Sequence, residues 1–180
     1  MPVCPDSDLW THHVAVVGEE AIIRAAAAAT AEAPLLIDAS RLRADAVTNG
    51  VAKLIAAGRL RGHGVVIIGA NWARLDTLAQ ELATRHLFAL AVAARSWHLI
   101  GDVPPLCLDA LAVLAKAGGR PLSHHLVARQ LGLPAVTAAV SLERLAKHGA
   151  AVTRGDAYRL PRVAVGLLHR SERGVSEIRG

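Results

Sequence analysis

Short, fully apolar runs alternate with stretches of three-to-four-residue periodicity over the first half of the chain. His13–Val17 is a short β-branched run ending at Gly18, and Pro34–Asp38 reads as a short strand of the buried type. Gly64–Gly69 is apolar throughout between two glycines and is the clearest strand pattern present; Leu87–Val92 completes a set of four. Helical patterns separate them. Glu19–Thr30 is alanine-dense with two acids in its first turn, where the helix dipole favours them. Asp45–Ala57 places Val47, Val51, Leu54 and Ile55 at helical spacing, and Asn71 caps a stretch to Arg85 with Leu75, Leu78 and Leu82 on one face. Strands apolar on both faces and separated by helices predict an α/β fold. Its sheet is mostly parallel, with flanking helices and right-handed crossovers.

From Gly101 onward the pattern changes. Gly101-Asp102-Val103-Pro104-Pro105 has linker composition, because neither proline continues a helix. Leu106–Ala117 then sets Leu106, Ala110, Leu111 and Leu114 on one face, and Gly118-Gly119 ends it. Ser123 is placed to cap a short helix over His124–Leu131, which Gly132 breaks. A third helix starts at Pro134, runs to Lys147 and stops at Gly149, a position that favours glycine. Ala151–Thr153 and Ala157–Leu160, joined through Arg154-Gly155-Asp156, predict a hairpin. The expected organisation is an α/β domain over residues 1–100, a helical domain with a hairpin over 105–165, and a polar, mobile tail over 166–180. Val163–Leu168, across the boundary of that tail, is apolar enough for an extra strand or a docking segment.

Composition narrows the class. The chain has 180 residues, 53% hydrophobic and 19% charged, which excludes a disordered or purely solvated polypeptide. Its longest uncharged stretch, Gln130–Leu142, has thirteen residues interrupted by Pro134, well short of a membrane span. The N-terminus carries acids and prolines where a signal peptide needs a basic end and an apolar run. Cys4 and Cys107 make neither a disulfide framework nor a metal-spaced pair. A cytoplasmic protein without membrane association is expected. Residues 1–99 hold nine Lys/Arg and nine Asp/Glu, whereas residues 100–180 hold eleven and six, so the net charge of +5 sits in the C-terminal part. A basic half on a neutral half points to an anionic partner, most often nucleic acid; a solvated basic face is the plainer alternative.

Helix, short helix, glycine-bearing turn, longer helix and hairpin, in that order, resemble the winged helix-turn-helix family. Residues Ser123-His124-His125-Leu126-Val127-Ala128-Arg129-Gln130-Leu131-Gly132-Leu133 look like its second helix and turn. Leu142-Glu143-Arg144-Leu145-Ala146-Lys147-His148-Gly149-Ala150 looks like the end of its third helix, and Arg154-Gly155-Asp156-Ala157-Tyr158-Arg159-Leu160 like its wing. The resemblance covers residues 106–160 and implies binding of double-stranded DNA, usually as a homodimer, with the third helix in the major groove. Residues 13–94 are similar to the STAS domain of anti-sigma-factor antagonists, on Leu35-Leu36-Ile37-Asp38-Ala39-Ser40, the Asp45-to-Gly50 helix start and Val65-Val66-Ile67-Ile68-Gly69. That family carries a phosphorylatable serine in an Asp-Ser-Ser/Thr-Gly motif. Here Asp45-Ala46-Val47-Thr48-Asn49-Gly50 separates acid and glycine too widely, and Thr48 is the nearest hydroxyl.

These features together predict a non-enzymatic, DNA-binding transcriptional regulator whose α/β half serves dimerisation or contact with a protein partner. With Ala138, Leu142 and Leu145 inward, the third helix shows Val136, Thr137, Val140, Glu143, Arg144 and Lys147. Arg144 and Lys147 suit phosphate or a guanine edge, Thr137 a base or phosphate, and the valines a thymine methyl. Ser123, His124, Arg129, Arg154 and Arg159 complete the expected DNA-binding set. Exposed valines and a glutamate equally suit a protein contact, which keeps an anti-sigma-antagonist or scaffold adaptor as the rival. Catalysis finds little support. The carboxylates of Gly18-Glu19-Glu20 would repel a phosphate, Gly69-Ala70-Asn71 has one glycine where a dinucleotide fingerprint wants three, and there is no Walker motif. No cofactor is expected. The pairs His12-His13 and His124-His125 are adjacent and point to different faces, so no metal site is expected either. Asp38 reads as a loop cap, and Trp10, Trp72 and Trp97 as core or interface anchors.

Overall fold

A computed structural model describes residues 15–16, 35–38, 43–56, 65–68, 72–93, 96–161, 164–165 and 168–169. The expected helix over Glu19–Thr30, together with Cys4, Trp10 and His12-His13, lies outside them. The class is mixed α/β. One sheet has six strands in the order β1-β2-β3-β4-β5-β9: β1 (Ala15–Val16), β2 (Leu35–Asp38), β3 (Val65–Ile68), β4 (Phe88–Ala93), β5 (Ser96–Gly101) and β9 (Leu168–His169). Helices α1 (Ala44–Ala56) and α2 (Trp72–Thr84) link β2 to β3 and β3 to β4. The pairs β1–β2, β2–β3 and β3–β4 run parallel, with α1 and α2 connecting the last two pairs, Leu36 opposite Val66 and Ile67 opposite Ala91.

β5 corrects the expectation of a sheet ending at residue 92. It pairs antiparallel with β4 from Phe88–Gly101 to Ala93–Ser96. Ser96 and His98 interrupt its apolar pattern and conceal the strand in the sequence, yet Trp97, His98, Leu99 and Ile100 are all buried. The stretch from 166 onward is likewise not all tail, because Leu168–His169 pairs parallel with β5.

Gly101 sets how the chain leaves this sheet. Its φ is +104°, and a Cβ there would stand 2.3 Å from the Leu87 carbonyl oxygen, so only glycine fits. The next residue is anchored twice. The Asp102 N–H donates to the Leu87 carbonyl at 2.9 Å, and the Asp102 carboxylate meets His86 Nδ1 at 3.0 Å.

Beyond it, α3 (Pro105–Lys116), α4 (His124–Leu131) and α5 (Ala135–Lys147) pack on one another, followed by the hairpin β7 (Val152–Arg154) and β8 (Ala157–Arg159). β6 (Leu122–Ser123) adds a third antiparallel strand, Leu122 opposite Tyr158 and Ser123 opposite Ala157. Two residues are too few to show a strand period, which is why the sequence predicted only the hairpin. The hydrophobic cluster is continuous across both halves. Phe88, Leu90, Trp97 and Leu99 of the large sheet join Cys107, Leu111 and Leu114 of α3, Val127 of α4, Leu142 and Leu145 of α5, and Tyr158.

Candidate functional site

Local chemistry sets the mutual placement of α4 and α5. Ser123 caps α4 through its Oγ, which accepts the Leu126 N–H at 3.3 Å. Gly132 ends α4 in the left-handed region (φ +64°), and the Leu133 N–H closes the turn on the Ala128 carbonyl at 2.9 Å. Pro134 then directs the chain into α5 without a capping side chain. Val127 and Ala128 of α4 and Ala138, Ser141, Leu142, Leu145 and Ala146 of α5 are buried. That burial turns Val136, Val140, Glu143, Arg144 and Lys147 to solvent, with Thr137 half-buried beside them. The face read from the sequence is the face presented.

Around it the expected set divides. Arg129, near the end of α4, and Arg154, beside the hairpin turn, are exposed. The turn is Gly155-Asp156, with Gly155 at φ +57° and Arg154 opposite Ala157. His124 is half-buried and its ring lies 4.0 Å, centroid to centroid, from that of exposed His125. Ser123 is committed to its helix. Arg159 does not belong with the others. It is 8% exposed, buried like its neighbours Tyr158 and Leu160, and its Nη1 donates to the Leu160 carbonyl at 3.1 Å.

His148 escaped the sequence reading. It lies immediately beyond α5, buried, with its ring stacked on Phe88 of β4 at 3.9 Å between centroids and 9° between planes. Its Nδ1 lies 2.8 Å from the Arg144 carbonyl, where an Nδ1–H donates to a helix-end acceptor that also takes the His148 backbone N–H at 3.2 Å. Burial above all, helped by the nearby charges of Arg144 and Lys147, lowers its pKa and holds the ring neutral, although the bond to Arg144 opposes the shift. The sequence clue was a histidine at a helix C-terminus, where such residues meet terminal carbonyls. What it stacks on was not readable.

Other groups have internal roles. Thr48, the hydroxyl nearest the phosphoacceptor position of the STAS resemblance, is buried and its Oγ1 donates to the Ala44 carbonyl at 2.9 Å. Cys107 is buried with its Sγ 3.7 Å from the Ser141 carbonyl, and burial raises its pKa, which keeps the thiol protonated. Trp97 is a core anchor. Among the described residues, no group of three His, Cys, Asp or Glu is placed to hold a metal ion, and no helix is long and apolar enough to cross a membrane. No protein-family model, curated protein or solved structure matches the chain.

Proposed function

We propose that this chain is a non-enzymatic transcriptional regulator that binds double-stranded DNA through a winged helix-turn-helix formed by α3, α4, α5 and the β6-β8-β7 sheet. The observation that carries this reading is the exposure of four cationic groups on α4, α5 and the hairpin: Arg129, Arg144, Lys147 and Arg154. In this arrangement α5 enters the major groove and the hairpin follows the neighbouring backbone as a wing. Arg129 and Arg154 meet phosphate or minor groove, giving affinity without sequence preference, and Ser123, His124 and Lys147 border the backbone. Thr137, Val140 and Arg144 face base edges and discriminate. Arg159, being buried, takes no part. The α/β half, similar to STAS domains, serves homodimerisation or contact with a protein partner, and the buried Thr48 argues against a phosphoswitch there.

A second reading, an adaptor whose α5 face binds a protein, draws on the exposure of Val136 and Val140. Titrating the full chain with random-sequence duplexes at two salt concentrations separates the two. DNA binding predicts affinity that falls steeply with salt, whereas absence of binding at low salt leaves the adaptor.

A further inference from the structure

Val136 and Val140 are 71% and 60% exposed, while the other large exposed hydrophobics among the described residues, Leu106, Leu108 and Val165, lie at 39–40%. The two valines stand one turn apart near the start of α5, the part of a reading helix that comes closest to base edges. One turn further along the same stripe come Glu143 and then Lys147, with Arg144 and Thr137 to one side. The cationic groups favour an anionic occupant. A phosphate facing Glu143 would be repelled, so the line from Val136 to Glu143 suits the floor of a groove rather than its charged walls.

In the major groove thymine alone among the four bases presents an apolar group, its C5-methyl. Set against a valine, the other edges place N7, O6, N6 or N4 beside a hydrocarbon, and each unpaired polar atom carries a desolvation penalty. Valine is β-branched and held to one main rotamer in a helix, so little side-chain freedom is lost on contact. Four residues of helix rise about 6 Å, a little under two base steps of about 3.4 Å. We infer that α5 reads thymine: Val136 and Val140 pack on the C5-methyl groups of two thymines no more than two steps apart, and Glu143 accepts from a cytosine N4 amine next to them. The inference rests on the DNA-binding reading above and names its ligand as duplex DNA carrying closely spaced thymines.

The test starts from the full chain and a random duplex pool, with repeated selection and sequencing. The enriched duplex is then rebuilt with deoxyuridine at each thymine in turn, which deletes the methyl and leaves every hydrogen-bonding group in place. Two closely spaced positions are expected to weaken about fourfold on deoxyuridine replacement, the transfer value of one buried methyl-sized group. The penalty at one of them disappears in Val136→Ala and at the other in Val140→Ala, exposed changes that favour the helix and leave folding intact. An enriched duplex that binds equally well with deoxyuridine overturns the thymine inference and leaves DNA binding standing. A penalty unchanged in both alanine variants overturns it too. Absence of any enrichment, together with salt-independent or absent binding, overturns the DNA reading itself.

Discussion

The six-stranded sheet and the three-helix region handle their side chains in opposite ways. The described part of the sheet conceals a polar side chain, with His98 buried between Trp97 and Leu99. The helical region does the reverse on α5, leaving Val136 and Val140 in solvent beside Arg144 and Lys147. A helix packed on one side needs a single apolar stripe, so residues on the other side are free for an outside partner. A central strand covered on both faces has no such freedom. The difference teaches where to look for function, yet one hydrophobic cluster joins the two regions.

The strongest challenge to that union is Phe88→Ala. It removes a fully buried ring from the shared cluster and the partner of His148, and should cost about 3–5 kcal/mol. Thermal melting should show one cooperative transition, lowered as a whole; two separate transitions would mean the regions fold independently. Gly101→Ala comes next. The positive φ and the 2.3 Å approach to the Leu87 carbonyl predict a loss of about 1–3 kcal/mol in denaturant titration. A neutral result would show that the exit from β5 relaxes freely.

Effects confined to the surface should leave stability within about 0.5 kcal/mol and act on binding alone. Arg144→Ala should relax discrimination at one base pair by about 1–3 kcal/mol, read by competition between matched and mismatched duplexes. Arg154→Ala should weaken all duplexes alike and flatten the logarithmic salt slope by about one unit; the adaptor model expects no change. The smallest effect concerns pH. Because the folded pKa of His148 lies below its ordinary value, the unfolded chain binds the proton more readily. The stabilisation is complete above about pH 6.5 and is lost as pH falls towards the folded value. His148→Phe keeps a ring against Phe88 and should flatten this part of the stability–pH curve. An unchanged curve would separate the stack from the titration.

Much of this was legible along the chain because local rules wrote it. The runs at Leu35–Asp38 and Val65–Ile68, the cap at Ser123, the glycine stops at Gly132 and Gly149, and the inward and outward faces of α5 follow from periodicity and turn chemistry. Where polar residues interrupted a pattern, as at Ser96 and His98, the strand was missed. Where the element was two residues long, as at Leu122–Ser123, there was no period to find.

By itself the sequence determined the helices of the C-terminal part, their order, the excess of positive charge there, and which α5 residues face away from the core. Those properties depend on residues within a few turns of one another. Tertiary structure alone decided that β5 turns back antiparallel, that Arg159 is buried, and that His148 stacks on Phe88 sixty residues away. Contacts between distant segments depend on how separately formed surfaces fit together, and no local pattern of hydrophobic and polar residues records that fit.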